Sequence, residues 1–368
     1  MANTLANSLG CYGFPAESSI LFRDELALSE EVFQNVRPLE QGIVLLDRQI
    51  TGQDWMRGPM QRRTKNSRIV FHGIKGGVGR STALTNWAWH LAEQGKKVMV
   101  IDLDLESPGL GSTMLPLDHA PDFGIVDWFV EDGVGQGDSI LPEMVTKSPL
   151  ASRSPGDILV VPAYGAKTSE YLAKLSRCYA DLSNDGPGSW AARLNRMVEA
   201  LENEHCPDAI LFDSRAGIHD IAATLLTRMD AEVLLFAVDS HQTWDGYGLL
   251  FRHWKSNPQL LTAFRERLQI VASMVPETGR DNYLEGFKEQ AWDLFRENLY
   301  DEIGADDVDG FSYDLEEAQA PHDPLPIFWA RALQEFNPLV GGIDTATAES
   351  AFRLFFKRAD AIIPQASR

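Results

Sequence analysis

Three short stretches bring together residue types that can hold a phosphate group and its counter-cation. Residues 68–82 read RIVFHGIKGGVGRST, an apolar run entering Lys75, Gly76, Gly77, Val78, Gly79, Arg80, Ser81 and Thr82. Glycines let successive N–H groups turn inward, and with a helix N-terminus behind them they form an anion cradle. The Ser81 hydroxyl, next to the basic Arg80, is the kind of hard oxygen that ligates magnesium. A glycine-rich turn without a ligand is the plain alternative, and the strand–loop–helix setting argues against it. Residues 98–111, VMVIDLDLESPGLG, put Asp102 and Asp104 at the end of a second apolar run. Residues 209–217, AILFDSRAG, do the same for Asp213, with Arg215 and Gly217 just beyond. Arg215 either stabilises charge on a transferred phosphoryl group or pairs with a nearby carboxylate, and the residues leave both open.

These groups need a frame. Apolar runs at 68–72, 97–102, 158–162, 209–213, 232–238 and 268–273 read as strands. Helical periodicity lies between them, at 81–94, 189–204, 220–228, 244–255 and 283–299. In 81–94, Leu84, Trp87, Ala88, Leu91 and Ala92 share one face, and Gly95 supplies the stop. Alternating strand and helix predicts an α/β fold, a doubly wound, mostly parallel sheet flanked by helices. Such sheets bind ligands at the carboxyl ends of their strands, where all three motifs fall.

The glycine loop misses the standard G-x-x-x-x-G-K-[ST] pattern: Ile74 stands at its first glycine and Arg80 at its lysine. KGGVGRST instead resembles the deviant Walker A loop of the ParA/MinD family of ATPases, and more narrowly the bacterial variants whose loop reads KGGVGR. The resemblance covers roughly residues 68–275. It implies ATP and Mg2+ as ligands, with Lys75 reaching across a homodimer interface to the partner's nucleotide. It gives Asp104 the placing of the attacking water, Asp102 a place in the magnesium shell, and Asp213 the Walker B role beside Ser81. Ser107, Pro108 and Gly109 would open one switch, and Gly217 belongs to the other. Arg80 departs from the family lysine: it keeps the charge and can hold two phosphate oxygens, but it is planar and bulkier. Binding follows more directly than hydrolysis.

The remaining composition narrows the partners. The 368 residues carry a formal charge of −20, which repels nucleic acid in the absence of a basic patch. Arg57, Arg62, Arg63, Lys65 and Arg68 form the one candidate; without aromatic partners from Arg62 onward, the segment reads as a solvated linker. Cys11, Cys178 and Cys206 are far apart with no CxxC, which fits a reducing cytoplasmic setting. No apolar run is long enough to span a bilayer, and the start lacks the pattern of a secretory signal. Residues 1–66 read as an extension, with an amphipathic stretch at 29–36 and an apolar run at 43–46; 67–299 read as the nucleotide domain. Residues 300–368 read as an acidic surface excursion (300–324) and two helical stretches, 327–336 and 345–363, packed on the same domain. The stripe of Phe352, Phe355, Phe356, Ala359 and Ile363 reads as core rather than a membrane face.

The sequence thus predicts an ATP- and magnesium-dependent switch: a slow ATPase that dimerises on ATP and controls an unidentified protein partner. KGGVGR variants are often linked to bacterial multi-protein systems, including defence systems. The alternatives are a nucleotide-holding scaffold or sensor without turnover, a ParA-like DNA-positioning protein, and a phosphotransferase.

Overall fold

The computed structural model describes residues 2–9, 36–38, 44–46, 53–64, 66–179, 186–302 and 310–363. A helix, α1 (Ala2–Leu9), and an antiparallel pair, β1 (Val36–Pro38) and β2 (Val44–Leu46), lie in the N-terminal part. The expected stretch at 29–36 falls almost wholly outside the described residues, as do Cys11, Ile43, Lys65, Asp306, Asp307 and Asp309.

Eight further strands form one sheet: β3 (Ser67–Gly73), β4 (Lys97–Leu103), β5 (Thr146–Lys147), β6 (Asp157–Val161), β7 (Ala209–Ser214), β8 (Glu232–Ala237), β9 (Leu268–Val275) and β10 (Leu325–Phe328). Their order is β10-β9-β8-β3-β7-β4-β6-β5, parallel throughout except for β5. The helices are α2 (Arg80–Glu93), α3 (Leu110–Met114), α4 (Ile125–Asp132), α5 (Gly137–Ile140), α6 (Tyr171–Cys178) and α7 (Trp190–His205). They continue with α8 (Asp220–Ala223), α9 (His241–Lys255), α10 (Pro258–Phe264), α11 (Arg280–Asn298) and α12 (Thr345–Ala359). Strand alternation divides the core. Ile69, Phe71, Val98 and Val100 face the layer holding α2 and α12. Val70, Met99 and Ile101 face the layer of α4, α7 and α9 to α11. This is the expected doubly wound sheet, and all six predicted strands are in it.

Three expectations change. Residues 327–336 are not a helix: β10 extends the sheet, pairing Leu325 with Val271 and Pro326 with Ala272, and a 3-10 turn follows at Arg331–Leu333. Pro326 fits an edge strand, where its missing N–H costs little. The 57–68 segment is not a solvated linker. Trp55 is buried with its ring 6.1 Å from that of Trp254, Arg62 donates to the Asp230 carbonyl at 2.9 Å, and Arg68 lies in the core with two hydrogen bonds to Glu202, at 2.9 and 2.7 Å. The 300–324 stretch is more than a surface excursion. Tyr300, Phe311 and His322 are buried, and Arg265 holds Asp301 with two 2.6 Å hydrogen bonds. The predicted 220–228 helix begins as α8 and ends in a π-helical turn at Thr224–Arg228.

The tail stripe is core. Phe352, Phe355, Phe356, Ala359 and Ile363 are all buried. Phe355 packs edge-on against Trp87 at 5.8 Å.

Candidate functional site

The loop between β3 and α2 has the conformation its glycines permit. Gly77 (φ +74°) and Gly79 (φ +80°) lie in the left-handed region, where a Cβ is penalised, and Gly79 caps α2. A Cβ on Gly76, Gly77 or Gly79 would meet nothing within 4 Å, so the space beside these glycines is open. Val78 is buried beneath it, while Ser81 and Thr82 begin the helix at the cradle's edge. Lys75 is exposed and pairs with no carboxylate of the described residues. Two contacts brace the loop from behind. Gly217 N–H donates to the Gly73 carbonyl at 2.9 Å, tying the turn after β7 to the end of β3. Gly246 of α9 presses on Ile74, whose Cγ2 would lie 2.3 Å from a Cβ there.

Asp102 and Asp213 are register partners on β4 and β7, so their carboxyl groups meet at the strand ends beneath the cradle. Ser81 Oγ donates to Asp213 Oδ2 at 2.5 Å, while Asp213 Oδ1 is buried without a hydrogen-bond partner. Burial pushes the Asp213 carboxyl up to about 6, against the opposing pull of Arg80 and the Ser81 hydrogen bond. Asp104 is also raised by burial, opposed chiefly by Arg80, and its Oδ1 is likewise unpartnered. A hydroxyl beside an unsatisfied carboxylate oxygen is a hard-oxygen set that suits magnesium.

Asp102 is used differently. Its two oxygens accept the N–H groups of Asp104 (3.2 Å) and Leu110 (3.1 Å), bracing the 104–110 loop. Burial and then the neighbouring Asp213 push it up to about 8, so it carries its proton at neutral pH. Among the described residues no group of three His, Cys, Asp or Glu side chains gathers as a metal cluster.

Arg80 is nearly buried, and its guanidinium points below the cradle. It donates to the Ser214 carbonyl and lies 3.6 Å from Asp104 Oδ2. His72, fully buried behind it, is driven down to about 3 by burial and then by Arg80, so it stays neutral.

Of the two options for Arg215, the structure has the ion pair: its partner is Glu106, in the loop that carries Asp104. Glu106 also accepts the Tyr179 hydroxyl at 2.6 Å and lies 3.6 Å from His219 Nε2. Ser107 N–H donates to the Asp104 carbonyl at 3.1 Å, Pro108 follows, and Gly109 caps α3. One carboxylate therefore joins the loops after β4 and β7. Sequence reasoning passed over Glu106; its signal was its place two residues after the D-x-D pair.

A second omission lies beside the cradle. An open cleft lies next to Gly79 and Thr82, lined further by Ser273, Met274, Trp329 and Gln334. Met274 holds φ +56°, a strained conformation for a residue with a side chain. Trp329 and Gln334 belong to a stretch that the sequence reading left without a role.

The AAA domain family model matches residues 66–114, which hold the cradle and the D-x-D loop. A cytosolic Fe-S cluster assembly factor NUBP2 homolog of Nematostella vectensis is 29% identical over 160 residues, 43% of this chain and 57% of that protein. The antiactivator FleN of Pseudomonas aeruginosa is 27% identical over 216 residues, 58% of this chain and 64% of that protein. The chain thus spans less than two thirds of the length of either relative. Among solved structures, the cell division ATPase MinD of Pyrococcus furiosus aligns at 18% identity and a TM-score of 0.47, over 81% of this chain and 100% of that one.

Proposed function

We propose that the chain is a ParA/MinD-like P-loop protein, as its match to the AAA domain model and its likeness to FleN support, and that it acts as an ATP- and magnesium-dependent switch with slow hydrolysis. The observation that carries this reading is the Ser81–Asp213 pair, 2.5 Å apart at the foot of an open glycine cradle. Ser81 and Asp213 would hold magnesium, which would neutralise phosphate charge there, and Asp102 would keep the loop beside them in place. The N–H groups around Gly76 to Gly79 bind phosphate oxygens, and the neighbouring cleft takes the nucleoside. Asp104, with one oxygen unpartnered and the other near Arg80, orients the attacking water.

In this reading Lys75, exposed at the cradle's rim, completes the site of a second copy, so ATP favours a homodimer. The Glu106–Arg215 pair joins the two loops nearest the terminal phosphate, and a change there alters the surface offered to a protein partner. FleN is named an antiactivator, which supports a protein as the controlled partner. A role in a bacterial multi-protein defence system rests on the KGGVGR resemblance. Iron–sulphur assembly, named for the other relative, lacks a CxxC pair in this chain. Nucleic acid is disfavoured by the −20 charge and by the carboxylate partners of Arg57, Arg62 and Arg68. Among the described residues no helix is long and apolar enough to cross a membrane.

A non-hydrolysing scaffold or sensor is the second reading, favoured by the engagement of Arg80 with Ser214 and Asp104 instead of the cradle. ATP turnover by the purified protein with magnesium, beside Asp104→Ala and Arg80→Lys, separates the two. The switch predicts slow turnover that Asp104→Ala abolishes. Tight binding with turnover only in Arg80→Lys establishes the scaffold. Absence of nucleotide binding refutes both.

A further inference from the structure

Helix α12 runs parallel to α2. Phe355 meets Trp87, Phe356 stacks on His90 with ring centroids 4.1 Å apart, and Asp360 meets Gln94, the numbers rising together on both helices. At its cleft end α12 contributes Phe352 to the wall that holds Trp329 and Gln334, facing Gly79 and Thr82. At its far end stands Asp360, the C-terminal cap. A carboxylate there opposes the helix dipole and needs compensation. Three side chains from one face of α2 supply it: Trp87 Nε1 at 2.9 Å from Oδ1, and His90 Nε2 at 3.0 Å and Gln94 Nε2 at 2.8 Å from Oδ2.

The neighbouring Arg358 fastens the same helix end to the entry of β10. It donates to the carbonyls of Pro324 (2.9 Å) and Asp323 (3.0 Å) and pairs with the Asp323 carboxylate at 2.9 Å. β10 leads directly into Trp329. The α12 end is therefore fixed to the helix that starts at the cradle and to the strand that ends at the opposite wall. Eight residues separate Phe352 from Asp360, about 12 Å of rigid helix. A slip at the far end moves the wall by a similar amount, because a packed helix shifts as a body.

We propose that Asp360 is a positioning residue for nucleoside binding: its clasp on Trp87, His90 and Gln94 sets the register of α12 along α2 and so the width of the cleft beside the phosphate cradle. The proposal rests on the nucleotide reading above. It separates two parts of the ligand. Phosphates are held by the loop and α2, which do not depend on α12's register; the nucleoside is held against the wall that α12 supports.

The test is magnesium-dependent binding of ATP and of inorganic tripolyphosphate to the full chain, read by isothermal titration calorimetry. Asp360→Ala is expected to weaken ATP at least tenfold and to leave tripolyphosphate within twofold. Gln94→Ala, which removes one donor at an exposed position, is expected to shift ATP in the same direction by about two- to threefold. ATP affinity equal to the parent's in both variants overturns the clasp. Equal loss of both ligands in Asp360→Ala, with Gln94→Ala unchanged, also overturns it, since that marks general damage to α2. A parent that binds tripolyphosphate but not ATP refutes the nucleotide reading itself.

Discussion

Asp213→Asn in the nucleotide-free protein separates the cost of the site from its use. The Asp213 carboxyl titrates at about 6 in the folded chain, against the 3.8 of a free aspartate. An acid raised by folding holds its proton longer in the folded state, so its stability contribution is full at low pH and is lost as pH rises from about 4 to about 6. A shift of roughly two units is worth about 3 kcal/mol above that window, and only about 1 kcal/mol remains at play near pH 4.5. Asparagine removes the charge and keeps an acceptor for the Ser81 hydroxyl, whose donor now has an amide oxygen to meet. The opposing pull of Arg80 on the Asp213 carboxylate is already contained in that net shift, so it does not reduce the gain a second time. The variant should melt about 4–6 °C above the parent at pH 8 and near it at pH 4.5, from about 2 °C per kcal/mol in a chain of this size. With magnesium and ATP the order should reverse, since the parent gains ligand stabilisation and the variant does not. Thermal melts at the two pH values, with and without Mg-ATP, read all four cases. A variant no more stable than the parent at pH 8, or equally stabilised at both pH values, refutes the argument that burial strains this carboxylate.

Three further outcomes follow from the geometry. Lys75→Ala should bind nucleotide within a few-fold of the parent and fail to dimerise with ATP, as read by sedimentation; a variant that dimerises like the parent removes the cross-dimer role. Arg68→Met leaves Glu202 buried without its main partner and should cost about 3–5 kcal/mol in urea unfolding, with most of it recovered when Glu202→Met is added. Gly246→Ala places a methyl against Ile74 and should cost about 1–3 kcal/mol while weakening ATP binding, because Ile74 opens the phosphate loop.

The strands were legible because a parallel sheet covered on both faces writes itself as continuous apolar runs such as Ala209–Ser214. β10 was not, because four residues, LPIF, suit either a strand or a helix turn, and only the open edge of β9 decides between them. β5, two residues of mixed polarity, left no pattern at all. The site divided in the same way. Lys75 to Thr82, Asp104 and Asp213, the residues of the proposed site, stand out by local spacing. The meaning of Arg68 and Arg62 depends on Glu202 and Asp230, more than 130 positions away, so a buried brace looked like a solvated linker. The Glu106–Arg215 pair, the cleft wall at Trp329 and the Gly246 contact likewise exist only once distant segments meet.

In the proposed nucleotide site the carboxylates of Asp104 and Asp213, on a chain of charge −20, would have a kinetic consequence. A free nucleotide approaches this crevice against repulsion from like charge, whereas its magnesium complex carries part of the cancelling charge with it. Capture should therefore quicken as ionic strength rises, the reverse of the usual trend for an anion entering a cationic pocket. Divalent cation supply, rather than nucleotide supply, would then set how fast the site fills.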